Sequence, residues 1–183
     1  HNHTIMHLTL LPYIKASEEL KSKPTQHSVM KLREIGLSPD MILCRTDYPL
    51  TKEIREKIGL FGNVNPKHVI EGSEVKSIYE VPLTLYSQGA GKIIMDRLKL
   101  PGKVDVSYLE KFIKKFKKPK HRVTIAMCGK YTELPDAYKS VIEAFIHSGV
   151  ENDAKVDVKW ISTEKIKTQK DASSAFKDVD GIL

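Results

Sequence analysis

The sequence contains no long hydrophobic run and few cysteines. No apolar stretch approaches the roughly 20 residues that a membrane-spanning helix needs, and residues 1–4 lack the charged and apolar regions of a secretory signal. The two cysteines, Cys44 and Cys128, are too few for a disulfide framework and have no metal-like spacing. We therefore expect a soluble, cytoplasmic protein with reduced thiols and no membrane partner.

Several catalytic signatures are also absent. The chain has no Gly-x-x-x-x-Gly-Lys loop for ATP phosphates and no evident pair of Mg²⁺-binding carboxylates before its first strand. Neither cysteine lies in the Gly-x-Cys-x-Gly turn that exposes a nucleophile after a strand. His1, His3 and His7 are close in sequence but have no acidic or thiol partner, so we predict no metal site there.

The net charge of +7 is concentrated in one stretch. Residues 103–122, the basic segment, contain eight Lys or Arg and two acidic residues, which leaves 22 basic against 21 acidic residues in the rest of the chain. A nucleic-acid-binding protein usually presents a broad basic face. We therefore predict no nucleic-acid partner and expect the basic segment to be a solvated connector.

The order of apolar segments predicts an α/β protein. Short β-branched runs alternate with helical periodicity, as in strand–helix–strand units with parallel sheets. Pro101-Gly102 and the amphipathic stretch before Pro119 indicate a boundary between two such regions. The last five residues resemble a strand without the loop that should follow it, so we expect the chain to be a piece of a longer protein. Strands are predicted at 4–13, 41–44, 68–70, 123–128, 155–161 and 179–183, and helices after Thr25, at 51–60, within 79–98, at 107–118 and after Tyr131.

A lysine-rich loop precedes the first predicted helix. Lys21, Lys23 and Thr25 surround Pro24, where the proline stiffens the chain and the lysines supply positive charge. We expect Thr25 to cap the helix, whose first turn offers unpaired N–H groups to an anion. These features suit a triphosphate, although a solvated surface loop has the same composition.

The sequence resembles the CTP synthase family along essentially its whole length. The similarity consists of ordered blocks on both sides of the basic segment, which are more specific than any single motif. The blocks are Met6-His7-Leu8-Thr9-Leu10-Leu11-Pro12-Tyr13, Lys21-Ser22-Lys23-Pro24-Thr25-Gln26-His27-Ser28-Val29, Gly36-Leu37-Ser38-Pro39-Asp40, Cys44-Arg45, Ser77-Ile78-Tyr79 and Gly129-Lys130-Tyr131-Thr132-Glu133-Leu134-Pro135-Asp136-Ala137-Tyr138-Lys139-Ser140-Val141-Ile142-Glu143-Ala144.

This resemblance implies a two-domain enzyme of which the chain is an internal part. Residues 1–100 would be the carboxyl-terminal part of a synthetase domain with a P-loop-type, dethiobiotin-synthetase-like parallel sheet. Residues 101–121 would be a basic amphipathic helix and linker, and residues 122–183 the start of a class I glutamine amidotransferase domain. The whole enzyme would aminate UTP to CTP with ATP, Mg²⁺ and ammonia from glutamine, and would form homotetramers. GTP as an activator and assembly into filaments belong to the same set of expectations.

The resemblance also assigns the binding residues. The lysine loop, residues 21–26, would bind UTP and CTP together with Lys57, which could instead form an ordinary helical ion pair with Glu53. The residues of the 73–75 segment would contact ATP, although Ser73-Glu74 replaces the family's common Lys-Asp or His-Asp pair. Written out, the sets are Lys21, Ser22, Lys23, Pro24, Thr25, Gln26 and Lys57 for UTP or CTP, and Ser73, Glu74 and Val75 for ATP.

No catalytic residue falls in this chain on that assignment. The fragment alone is expected to be inactive, and the activity to belong to the full-length protein. A non-catalytic nucleotide-binding or assembly module derived from the same fold is the alternative interpretation.

Overall fold

Strands and helices alternate along residues 3–183, the part of the chain that this computed structural model describes. The chain is mixed α/β with parallel sheets, as predicted. It divides into two compact units, His1–Leu109 and Glu110–Leu183. The strands are β1 Met6–Leu10, β2 Tyr13–Ile14, β3 Glu19–Leu20, β4 Met41–Thr46, β5 Val69–Ser73, β6 His121–Gly129, β7 Ala154–Ser162 and β8 Gly181–Ile182; the α-helices are α1 Lys23–Glu34, α2 Lys52–Gly62, α3 Val81–Ser87, α4 Ala90–Leu98, α5 Ser107–Lys117, α6 Lys139–Glu151 and α7 Gln169–Ala175.

The first unit contains a three-stranded parallel sheet in the order β1-β4-β5. Alternate residues of β4 point to opposite faces, so Ile42 and Cys44 pack with α1 and α2, whereas Met41 packs with Ile70 and α4. Both faces of the central strand are therefore covered by helices. This arrangement explains why β4 is a continuous apolar run.

The first strand differs from the prediction. β1 is parallel to β4, but Leu8 and Leu10 are 64% and 60% exposed, and in this strand only Thr9 is buried. The predicted run also ended too late, since Tyr13 belongs to the short antiparallel hairpin β2-β3. The hairpin was missed because its strands have two residues each, too few to show alternation.

Most helix boundaries follow the sequence signals. Thr51 caps α2 by accepting a hydrogen bond from the Ile54 N–H at 3.3 Å, and Gly36 follows α1 with a φ of +84°. The predicted 79–98 stretch contains two helices, because Gly89 at φ +81° interrupts it. None of the helices among residues 3–183 is long and apolar enough to cross a bilayer.

The second unit contains a parallel sheet in the order β7-β6-β8. The helix α6 packs beside β7. Tyr138, just before α6, has its ring 5.4 Å from that of Trp160 in β7. In α5, Phe112 is 6% exposed and its ring lies 5.3 Å from that of His147, whereas Tyr108 is 71% exposed. The apolar face of α5 is thus part of a core, and its lysines face outward.

Candidate functional site

The lysine loop lies at the carboxyl edge of the first sheet. It follows the hairpin β2-β3, and the Lys21 N–H donates to the Pro12 carbonyl at 2.9 Å. The neighbouring Leu11 N–H donates to the Arg45 carbonyl at 2.8 Å, which ties the end of β1 to the end of β4. Ligands of parallel α/β sheets bind at this edge.

The start of α1 is formed by the loop itself. Ser22 is the N-cap but makes no capping bond through its side chain. Its hydroxyl is buried and accepts a hydrogen bond from the Gln26 amide at 3.0 Å. Pro24 lies in the first turn, where its missing N–H costs nothing. The remaining first-turn N–H groups and the positive end of the helix dipole favour an anion.

Thr25 is an anchor within the first turn, which corrects the prediction that it caps the helix. Its side chain is 0% exposed, and its hydroxyl donates to the Leu10 carbonyl at 3.3 Å and accepts from the Thr9 hydroxyl at 3.2 Å. The helix therefore starts earlier, at Lys23. Since the Thr25 side chain faces β1, only its backbone could meet a ligand.

The charged group nearest to Lys21 is a carboxylate that the sequence analysis did not single out. The Lys21 ammonium donates to Glu19, and these side chains are 43% and 52% exposed. The hydrogen bond and charge of Lys21 lower the pKa of the Glu19 carboxyl, with further contributions from Ser17 and the charge of Lys57. Lys21 lies just after β3, whose two residues are too few to show alternation, so the sequence carried no signal for this pair.

Lys57 lies on α2 and acts on the same carboxylate. Its side chain is exposed, and its charge contributes to the lowered pKa of Glu19. No ion pair within residues 3–183 joins Lys57 to Glu53, and the pair on α2 is between Lys52 and Glu56 at 3.8 Å. The charges of Lys21 and Lys57 thus act on the same carboxylate, and the assignment of both lysines to a nucleotide site stays a prediction.

The segment assigned to ATP lies at the same edge of the sheet. Ser73 ends β5, and the Glu74 carboxylate accepts a hydrogen bond from Arg45 at 3.0 Å. Because β4 separates β1 from β5, these two strands end about 10 Å apart across the sheet. Glu74 is engaged by Arg45, so the Ser73-Glu74 replacement puts an ion pair where the family often has a lysine and an aspartate.

The surroundings of Cys44 and His7 are those of residues that stabilise the fold. Cys44 is buried in the first core, and burial raises the pKa of its thiol to about 12, so it is no nucleophile at neutral pH. The His7 ring is 2.8 Å from the Ser28 hydroxyl, and burial lowers its pKa. His1 lies outside the described residues. Residues 3–183 contain no cluster of three or more His, Cys, Asp or Glu side chains that could hold a metal ion.

The fold and the candidate site together define a class of protein: a parallel α/β chain with a basic loop and a helix amino terminus at the carboxyl edge of its sheet. Residues 1–100 match the family model for the CTP synthase N-terminus. The chain belongs to the CTP synthase family.

Known members align along the whole chain. The sequence is 45% identical to the CTP synthase of Methanocaldococcus jannaschii over 97% of this chain. It is 48% identical to that of Cytophaga hutchinsonii over 98% and 48% identical to that of Chlorobaculum tepidum over 100% of this chain. The alignments cover 34%, 33% and 33% of those proteins, so the chain spans about a third of the length of these relatives.

Proposed function

We propose that this chain is part of an enzyme that aminates UTP to CTP in pyrimidine nucleotide synthesis. ATP phosphorylates the 4-oxygen of UTP, and ammonia released from glutamine displaces that phosphate. The names of the relatives support a ligase of this kind. The observation that carries the proposal is the position of Lys21 and the α1 amino terminus at the carboxyl edge of the sheet.

Each part of the lysine loop has a distinct task in this proposal. Lys21 and Lys57 attract the triphosphate of UTP or CTP, because an ammonium group forms charge-assisted hydrogen bonds with phosphate oxygens. The exposed Lys23 adds charge, and the first-turn N–H groups beyond Pro24 complete the anion site. Ser22, Thr25 and Gln26 set the shape of the turn through their own hydrogen bonds.

The ATP site shares the edge of the sheet with the lysine loop. Ser73, Glu74 and Val75 would present backbone groups to the adenine, since the Glu74 side chain is held by Arg45. Mg²⁺ would accompany the ATP phosphates, and we assign its protein ligands to parts of the enzyme beyond this chain.

The remaining features of the enzyme follow from the same family assignment. Residues 1–100 would belong to a P-loop-type synthetase domain and residues 122–183 to a glutaminase domain, within a cytoplasmic homotetramer. The fragment alone would be inactive. A non-catalytic assembly module with the same fold would be favoured if the full-length protein lacked the phosphate loop and the nucleophilic cysteine.

The test is Lys21→Ala in the full-length protein, with Lys31→Ala as the matched control. Lys31 is on α1, which follows Lys21, and pairs with Glu34 at 2.6 Å. Loss of a charge-assisted hydrogen bond of roughly 1.5–3 kcal/mol should weaken UTP and CTP binding about 10- to 100-fold, as measured by calorimetry. Lys31→Ala should leave both affinities unchanged. Equal affinities in wild type and Lys21→Ala would defeat the proposal.

A further inference from the structure

We propose that Glu19 competes with the nucleotide's phosphates for the Lys21 ammonium and thereby limits how tightly the site holds a triphosphate. This inference rests on the proposed nucleotide function and deepens it. In this inference Glu19 lowers the affinity for a triphosphate, whereas the lysines around it raise that affinity. Glu19 does not touch the reacting atoms, so it sets the affinity for the triphosphate and is not a catalytic residue.

The hairpin holds the carboxylate in place. Glu19 is in β3, where its backbone pairs with Ile14, and the next pair along the hairpin is Tyr13 with Leu20. The Lys21 N–H is in turn bound to the Pro12 carbonyl at 2.9 Å. The backbone therefore fixes both partners, and Glu19 reaches the Lys21 ammonium without needing a flexible loop to close.

The surroundings keep Glu19 ionised. Lys21, Ser17 and Lys57 all favour its charged form, so its pKa is below the ordinary value for a glutamate. The lowered pKa means that the carboxylate is negative throughout the neutral range and loses its charge only in acid. A nucleotide triphosphate approaching Lys21 at neutral pH thus meets a resident negative charge.

Competition follows from the chemistry of the ammonium group. Lysine offers three donors from a single compact charge, and the Glu19 carboxylate already engages it. Phosphate oxygens can take those donors only by displacing Glu19 or by sharing the ammonium with it against like-charge repulsion. UTP and CTP carry the same triphosphate, so Glu19 should weaken both to the same extent.

The experiment uses the full-length protein and calorimetric titration with CTP and with UTP at fixed Mg²⁺ and ionic strength. Glu19→Gln removes the charge and keeps the shape of the side chain. Glu34→Gln is the matched control, because Glu34 forms a comparable exposed ion pair with Lys31 at the other end of α1. Lys21→Ala and the double variant Glu19→Gln/Lys21→Ala complete a double-mutant cycle.

Glu19→Gln should bind both nucleotides about two- to five-fold more tightly, the range expected for an exposed ion pair. The gain should shrink in the Lys21→Ala background and at high salt, and it should be constant between about pH 6 and pH 8, since Glu19 titrates well below that range. Glu34→Gln should have wild-type affinity. Glu19→Ala should reproduce the gain, which separates the charge from any effect of the glutamine amide.

The outcomes separate this inference from the proposed function. If Lys21→Ala weakens binding but Glu19→Gln leaves it unchanged or weaker, Glu19 positions Lys21 or does nothing, and the competition is excluded while the nucleotide site stands. If Lys21→Ala leaves binding unchanged, the nucleotide site itself is wrong. An equal gain in Glu34→Gln would show that only net charge matters, which also overturns the inference.

Discussion

The two lysine-rich regions of this chain differ in what their lysines face. In the lysine loop, Lys21 lies where the strands of a parallel sheet end, beside a helix amino terminus. On α5, the lysines cover the outer face of an amphipathic helix. Lys115 on this helix and Lys120 just beyond it are paired with Asp153 at 3.6 and 3.0 Å. Lysine content alone therefore does not locate an anion site. The position of the lysines relative to strand ends and helix dipoles does.

The largest expected effect is a loss of stability at the lysine loop. The lysine loop is anchored by the buried Thr25 hydroxyl, so Thr25→Val should cost about 1–2 kcal/mol of stability by leaving the Leu10 carbonyl without that partner. Hydrogen exchange of the α1 amides in the full-length protein would measure this loss. The exposed Thr163→Val serves as the control and should change nothing. Unchanged protection of α1 in Thr25→Val would mean that the hydroxyl does not anchor the loop.

A smaller effect is expected from the second lysine of the site. Lys57→Ala should weaken CTP binding roughly 3- to 10-fold, because Lys57 acts on the site through its charge at an exposed position. Lys52→Ala on the same helix is the control, since Lys52 pairs with Glu56. If Lys57→Ala and Lys52→Ala both bind CTP as tightly as the wild type, α2 contributes no charge to the site.

The smallest effect should come from α5. Replacing Lys114 on α5 and Lys118 just after it with alanine should change CTP affinity by less than about two-fold, since neither belongs to the proposed site and exposed charges are screened by salt. The same calorimetric titration in the full-length protein would measure it. If CTP affinity fell as much as in Lys57→Ala, the distinction between the two lysine-rich regions would be wrong, because the lysines of α5 would then also contribute to nucleotide binding.

The sequence was most informative where pattern and packing agree. The apolar run at β4 and the helical pattern at 51–60 predicted elements that the structure contains, because both depend on local periodicity. The family resemblance assigned residues 21–26 to a nucleotide site, but the sequence could not show that Thr25 would turn inward. That orientation depends on Thr9 and Leu10, which are distant in sequence and adjacent only in the fold.

The pairing of Glu19 with Lys21 was also beyond a pattern-based prediction. The hairpin that aligns them has strands too short to give a periodic signal, and the residues between Tyr13 and Lys21 read as a polar loop. Likewise, the closeness of Lys57 to Glu19 depends on how α2 packs on the sheet. Long-range packing, and not local propensity, decides which charges meet.

The exposed side of β1 has a practical consequence for handling this polypeptide. Among the strands of residues 3–183, β1 pairs with β4 alone, and it presents Leu8 and Leu10 to solvent. An open strand edge with an apolar face is a template for pairing with other chains. Expressed by itself, this chain should self-associate as its concentration rises. The Leu8→Lys variant should remain monomeric over the same concentrations.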